Sequence, residues 1–445
     1  MGSQYIHESI ERQEIEERRQ ENRFYAEMSQ PELRDDLALQ NIISSVSERT
    51  TLPFIQQLIQ TPSLSGQEEG VVMIIAEKMR ELGYDEVTVD SMGNVVGLVR
   101  GRDHSRKIFY NGHIDHVDPG NLDAWDPTTG PYSGAIIDGR MYGRGTVDMI
   151  ASFATQVLGV GLLKQYNIIP PCDIYVMGIV HEETREGVAF EHLFDQFGTP
   201  DAVILGEPTE LDVKIGHRGR TEIEIETLGK TGHSGMPHLA DNAVYKMAAV
   251  IDAINEINQT LPEHYFLGKA TASIIFVDAW PNSATAIPDR CKVVIDRRTI
   301  INSSGRSETE EELIAEVEEQ LRKKGLNPNA SWLRIKVREL ELTCFTGKTV
   351  KTKCIMPAWF IEEEHPLPQA GLTALRKIGL RPQLRRWEFS TDGNFSAGER
   401  NVPTIGFGPG DETVAHQPNE SVPVHELLEG VRGNFLLALE VGSIL

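Results

Sequence analysis

His113-Ile114-Asp115 follows directly on the apolar run at residues 107–112, so an imidazole and a carboxylate stand two residues apart at the end of a strand-like segment. That pattern suits a metal ligand and an acid that orients it or its neighbours. Asp148, the pair Glu182-Glu183, Glu207 and His416 lie on four further segments and carry groups fit for the same chemistry. Imidazole nitrogen and carboxylate oxygen together suit a divalent hydrolytic metal. Zinc comes first, and cobalt or manganese fits the same donor set. Asp148, in Gly143-Arg-Gly-Thr-Val-Asp148, is the bridging candidate, because one carboxylate has two oxygens to share between two ions. Two metals about 3.5–4 Å apart can share a water, lower its pKa towards ~7 and clamp the oxyanion formed on attack. In Glu182-Glu183 one carboxylate would bind metal while the other stays free as general base, moving a proton from water to the leaving nitrogen. Successive side chains leave an extended chain on opposite sides, so both reach one site only if the backbone bends there.

Taken singly, each of these residues has an ordinary reading: a satisfied core histidine, a surface acid pair, a loop carboxylate. Their coincidence at the ends of predicted elements carries the argument. Residues 86–90, 95–99, 107–110, 174–180 and 202–205 read as strands, and 147–166 as a helix starting where Asp148 lies. Residues 36–84 read as helical, broken at Thr61-Pro62-Ser63-Leu64-Ser65-Gly66. Strands alternating with helices predict an α/β domain with a mainly parallel sheet covered on both faces. Such sheets bind ligands beyond the carboxyl ends of their strands, where His113, Glu182, Glu183 and Glu207 fall. His116, His181, His217 and His238 lie near the same segments and read as structural supports.

The pattern changes near Lys214. Strands are expected at 217–228, 271–278, 290–298 and 332–342, with helices at 241–260 and 308–324. The order β-α-β-β-α-β is that of a ferredoxin-like α+β sandwich inserted into the first domain. The expected division is a charged helical extension over 1–36, a first catalytic part over 37–214, the inserted domain over 215–345 and a second catalytic part over 346–445. Phe345-Thr-Gly-Lys-Thr is not a phosphate loop, because the first glycine of that motif would fall at Leu342.

A chain of 445 residues exceeds one ordinary core, and 40% hydrophobic with 24% charged residues is globular composition. A formal charge of −23 argues against a nucleic-acid partner. No stretch approaches the ~18 apolar residues of a membrane span. Residues near Met1 lack a signal-peptide core, and Ile6 breaks the myristoylation pattern. Cys172, Cys291, Cys344 and Cys354 form no CxxC pair, so they read as free thiols in a reducing cytoplasm.

The motifs as a set resemble the M20 family of two-zinc metallopeptidases and deacylases, from about residue 50 onward. They are Gly112-His-Ile-Asp115-His-Val-Asp-Pro, Gly143-Arg-Gly-Thr-Val-Asp148-Met, His181-Glu-Glu183, Gly206-Glu-Pro-Thr and Ala415-His416-Gln-Pro-Asn-Glu. By this resemblance His113, Asp148 and Glu207 hold one zinc, and Asp148, Glu183 and His416 the other. Glu182 is the general base, and Asp115 fixes the tautomer of His113. The inserted domain is a lid that forms a homodimer, and His233 in Gly229-Lys-Thr-Gly-His233-Ser-Gly-Met-Pro helps hold the carbonyl oxygen. Asn282 and Arg298 match substrate-contacting positions, with Arg297 the adjacent choice. A cis Asp148–Met149 peptide is also implied. Ile150 and His181 depart from the family's usual Lys and Asp without removing a ligand. Ser390-Thr-Asp-Gly-Asn-Phe and Ile405-Gly-Phe-Gly-Pro-Gly-Asp resemble the selenium-metabolism-linked hydrolase subgroup. The implied activity is hydrolysis of the amide of an N-acyl or N-carbamoyl amino acid or short peptide with a free carboxylate. An aminopeptidase-like dipeptidase and a catalytically silent metal-binding protein are the competing readings.

Overall fold

The computed structural model describes residues 36–445. The expected charged helix over 1–36 therefore lies outside the described residues, except for Asp36.

Among the described residues, nine strands build the central sheet. In order across it run Glu86–Val89, Val95–Val99, Cys172–Ile179, Asp103–His113, Ala202–Leu205, Thr404–Gly406, Val213–His217 and Trp359–Phe360, with Leu384–Trp387 added beside Val213–His217. The four strands from Cys172–Ile179 to Thr404–Gly406 are mutually parallel, and antiparallel strands extend the sheet on either side. Register is what matters for function. His113 lies opposite Ile179, and Asn111 opposite Leu205. The chain therefore leaves three neighbouring parallel strands at one level, carrying His113, Glu182 and Glu207 to the same sheet edge.

Helix Ile150–Gln165 is buried from Ile150 through Leu163. Its sequence lacks a polar stripe because it is enclosed, packing on the sheet and against helices Glu48–Ile59 and Val424–Gly442. Gly159 allows the closest helix approach: a Cβ there would lie 2.6 Å from the Val431 carbonyl oxygen. This core fixes the platform behind the site. The helix begins two residues after Asp148, later than the expected start at 147, because Met149 is its N-cap.

A second, antiparallel sheet takes the order Thr271–Trp280, Arg290–Thr299, Gly219–Leu228, Leu333–Val337, with the short strand Ile355–Met356 beside Gly219–Leu228. Helices Ala243–Thr260 and Glu310–Lys323 cover it around a separate apolar core. Asn242 caps the first helix, and Thr309 with Glu312 forms a capping box on the second. The expected strand at 332–342 is two strands. The chain breaks at Arg338, whose N–H binds the Glu222 carbonyl, and Glu339–Thr343 then forms a hairpin with Thr349–Lys353. Phe345-Thr-Gly-Lys-Thr is the turn of that hairpin. His217 still belongs to the central sheet, so the crossing falls at Arg218. All four cysteines are free and buried. No helix among the described residues is long and apolar enough to cross a membrane.

Candidate metal centre

His113 is buried at its strand end, and its Nδ1 lies 2.9 Å from the main-chain oxygen of Asp115. Nδ1 therefore carries the proton and donates to that carbonyl, leaving Nε2 as the ligand atom. The Asp115 carboxylate, at 3.6 Å, is too far to be the hydrogen-bond partner. Asp115 thus meets His113 through its main-chain oxygen, with its carboxylate 3.6 Å from Nδ1. That carboxylate is bonded to the glutamate segment. Oδ1 accepts from the Glu182 N–H at 3.2 Å, and Oδ2 accepts from the Glu183 N–H at 3.2 Å and the Ser65 hydroxyl at 2.6 Å.

Asp148 sits at the middle of the cluster. Its Oδ1 is 2.8 Å from His113 Nε2, and its Oδ2 is 3.0 Å from His416 Nε2. His416 Nε2 also lies 3.1 Å from Glu183 Oε2. On the other side His113 Nε2 is 3.7 Å from Glu207 Oε1 and 3.8 Å from Glu182 Oε2. The six side chains thus form two halves joined through His113 and Asp148. Ligand atoms of His113, Asp148 and Glu183, and likewise of His113, Glu182 and Glu207, gather within 4.8 Å of one another. Glu182 stands as near to His113 as Glu207 does, so the division between ligand and base among these two acids comes from the resemblance. His416 is exposed, which opens that half of the cluster to solvent.

The donor set fits divalent cations. His113 Nε2 and Asp148 Oδ1 are both acceptors once Nδ1 holds the imidazole proton, and acceptors 2.8 Å apart need a shared proton or cation. Glu207 Oε2 is buried without a hydrogen-bond partner. Burial drives the carboxyls of Glu182 and Glu207 well above the usual range, and neighbouring carboxylates add to it. Burial works the same way on Asp148, but hydrogen bonds from both imidazoles outweigh it and hold the group below the usual range. Hydrogen bonds to Asp148 and Glu183 push His416 up to about 10. Burial opposes charge on His113, yet Glu182, Asp115, Asp148 and Glu207 hold its pKa well above the ordinary imidazole value. The opposing shifts mark carboxylates crowded together with too little positive charge among them, which bound cations would supply.

The bend needed to turn both glutamates inward lies at His181, a non-glycine residue with φ of 60°. The expected cis Asp148–Met149 peptide is absent; the cis bond among the described residues is Trp280–Pro281. With Met149 at φ −130° and ψ 20°, a trans chain already brings both Asp148 oxygens to the two imidazoles.

Several supports were invisible in the sequence pattern. Glu420, fully buried, accepts from the N–H groups of Gly145, Val147 and Asp148 at 3.1, 2.8 and 3.2 Å. It pairs with buried Arg144, whose Nη2 donates to the His416 carbonyl at 3.0 Å. Asp392 accepts from Gly187 N and Asn111 Nδ2 beneath the glutamate segment. Glu420 was in plain view in the last motif; what hid its role is that it acts on backbone.

The structure does not join every candidate to the cluster. His233 is exposed, and its Nδ1 accepts from the Gly235 N–H at 3.0 Å; it makes no hydrogen bond to the six. Asn282 is exposed. Arg297 is buried against Glu308 and Glu316, while Arg298, on the other sheet face, binds Asp296 at 2.7 Å. Of the nearby histidines, His116 accepts from Ser63 N, His217 accepts from Thr391 N, His181 Nε2 meets the Thr343 carbonyl, and His238 is exposed.

The sequence profile of peptidase family M20/M25/M40 matches residues 109–439. An uncharacterized protein of Escherichia coli, YgeY, is 34% identical over 370 residues, covering 82% of this chain and 88% of that protein. A succinyl-diaminopimelate desuccinylase of Azoarcus is 26% identical over 394 residues, covering 85% and 94%. Among solved structures, an M20 family metallo-carboxypeptidase from Sulfolobus solfataricus superposes with a TM-score of 0.68 at 15% identity, covering 89% of this chain and 99% of that one.

Proposed function

The chain belongs to peptidase family M20/M25/M40, a family of metal-dependent amide and peptide hydrolases, and from that premise we propose that it is a di-zinc deacylase. Its substrate would be an N-acyl or N-carbamoyl amino acid, or a short blocked peptide, with a free carboxylate. The observation that carries this reading is the cluster of two histidines and four carboxylates, buried on the His113 side and open at His416, with one carboxylate more than the two proposed ligand halves use. Zinc ions in those halves would be held by His113, Asp148 and Glu207 and by Asp148, Glu183 and His416. When bound they supply Lewis acidity, lowering the pKa of a water and polarising the amide carbonyl.

The chain's own residues do the rest. Glu182 takes a proton from the water whose oxygen attacks the amide carbon. It returns that proton to the nitrogen as the C–N bond breaks, so base becomes acid within one turnover. Its burial, with Oε2 3.8 Å from His113 Nε2, keeps it at the centre of the cluster. His233 would hydrogen-bond the carbonyl oxygen, from a partner subunit in a homodimer formed through the antiparallel sheet domain. Arg298, half-buried and paired with Asp296, would meet a substrate carboxylate in preference to Arg297, which is buried against Glu308 and Glu316. Asn282 would line the same approach. The name of the desuccinylase relative supports an N-acyl substrate.

Glu182→Ala should abolish turnover with metal content near normal; retained turnover would sink the mechanism. A panel of N-acyl, ureido, blocked and free-amine dipeptide substrates tests specificity. Hydrolysis of free-amine dipeptides alone would replace the deacylase by an aminopeptidase-like dipeptidase.

A further inference from the structure

Four consecutive amides carry the chain through the turn that presents Glu182 and Glu183, and each is received by a side chain. Asn94 Oδ1 accepts from Val180 N at 3.0 Å, Glu68 Oε1 from His181 N at 3.2 Å, and the two Asp115 oxygens from Glu182 and Glu183. Three elements far apart in sequence thus converge on one turn. Beyond the end of its strand the segment has no ladder to hold it, so its shape is set by these acceptors.

Glu68 is the unexpected member. It is fully buried, and it stands at the N-cap of helix Glu69–Glu81, yet its carboxylate makes no cap bond to that helix. Oε1 instead accepts from Gly66 N at 2.8 Å and from His181 N, and Oε2 is buried without a hydrogen-bond partner. A carboxylate taken wholly out of water with no countercharge bonded to it is destabilising by itself. Nothing in the local helix explains its presence; the turn does. His181 occupies the left-handed region at φ 60°, which is unfavourable for a residue with a Cβ. Such a residue persists where its surroundings over-determine it. Gly66 completes the fit from the other side: at φ +83°, a Cβ would sit 3.0 Å from Thr343 O and 3.4 Å from the His181 ring.

We infer that Glu68 is a positioning residue for the Glu182-Glu183 pair, acting through the His181 amide to hold the turn that aims the general base. This rests on the proposed role of Glu182. Glu68 touches no reacting atom. Its effect belongs in the rate of the chemical step, because a misaimed base slows proton transfer without loosening the substrate.

The test uses the full-length, zinc-loaded protein with Glu68→Ala, Glu68→Gln and Ile75→Ala. Ile75 is a buried core residue of the same helix and serves as a stability control. Hydrogen exchange of the amides from His181 to Glu183 is read first, and it needs no substrate. Glu68→Ala should lose about ten-fold or more of their protection, and Glu68→Gln, which keeps one acceptor oxygen, should restore most of it. With the best substrate of the panel, Glu68→Ala should lower kcat about ten-fold or more with KM within roughly two-fold, again rescued by Glu68→Gln. Ile75→Ala should lower Tm without either effect. Unchanged protection and kcat in Glu68→Ala would overturn the inference. So would a Glu68→Gln as impaired as Glu68→Ala, or an Ile75→Ala that reproduces both losses. Glu182→Ala run alongside separates the two levels. Full turnover there removes the mechanism itself, whereas an inactive Glu182→Ala beside a wild-type Glu68→Ala removes only the role of Glu68.

Discussion

Asp115 Oδ1 accepts the backbone N–H of Glu182 at 3.2 Å, so the residue two positions after His113 builds the turn of the proposed base. One residue thereby does two jobs on two sides. Its carbonyl selects the tautomer of His113, and its carboxylate orders Glu182 and Glu183.

The two jobs separate by mutation. Asp115→Asn keeps the carbonyl and its bond to His113 but sets an amide NH2 against a backbone donor at the glutamate turn. Metal content measured by elemental analysis should stay close to wild type, while kcat falls on the order of 100-fold. His113→Ala should do the reverse to the metal, lowering occupancy directly. Equal metal loss in both variants would mean that the Asp115 carboxylate itself supports the metal site.

Glu420 does for Asp148 what Asp115 does for the glutamates, and Arg144 carries the connection on to the His416 backbone. Removing one partner of a buried pair leaves an uncompensated charge, worth about 3–5 kcal/mol. Arg144→Met should therefore destabilise the protein by that order in urea titration. It should also weaken metal binding at the half containing His416 more than at the half containing Glu207. A variant with full stability and unaltered metal affinity would show the pair to be incidental.

The strand ends were legible because a parallel sheet writes itself as separate apolar runs, each stopping where a polar group begins. Hence His113, Glu182-Glu183 and Glu207 could be placed at one edge from sequence, and the structure brings them there with Asp148 and His416. Glu68, Glu420 and the carboxylate of Asp115 were not readable in their roles. They bind main-chain amides across 113, 272 or 67 residues, and nothing in a local pattern records which amide a carboxylate will meet. The choice between Arg297 and Arg298 needed the pleat: one strand sends them to opposite faces, and only the three-dimensional neighbours Glu308 and Glu316 mark Arg297 as internal. The strand expected at 332–342 failed for a related reason, because its alternation continues through Arg338 while its pairing partner changes there.

His217 supplies a pH dependence. It is wholly buried between the Arg218 carbonyl and the Thr391 N–H, and burial pushes its pKa down to about 4. The unfolded chain takes up the proton near 6.5, so between about 6.5 and 4 the unfolded state binds more protons than the folded one. The contribution of neutral His217 is therefore complete above about 6.5 and is lost as pH falls towards 4, by about 3 kcal/mol in all. Other buried groups shape the total slope, so the difference between wild type and His217→Gln is the quantity to measure. Urea unfolding at pH 4.5 and 7 should show the wild type gaining on the variant as pH rises. A constant difference would mean that folding leaves the His217 pKa unshifted.

His233 is the residue most distant in character from the buried cluster: exposed, on a two-residue strand paired with Ala286, and bonded to its own Gly235. If it acts on a neighbour's substrate, a single subunit cannot hold a complete site. Glu182→Ala and His233→Ala homodimers should then both be nearly inactive for different reasons. Mixed by unfolding and refolding together, they form hybrids in which one of the two sites has both an intact Glu182 and an intact partner histidine. Random pairing makes half the dimers hybrid with one good site each, so activity should return to roughly a quarter of wild type. Light scattering on the same samples reports whether dimers are present. Dimers that regain no activity on mixing would place His233 and Glu182 in the same subunit's site, and a monomeric protein with full activity would remove the shared site altogether.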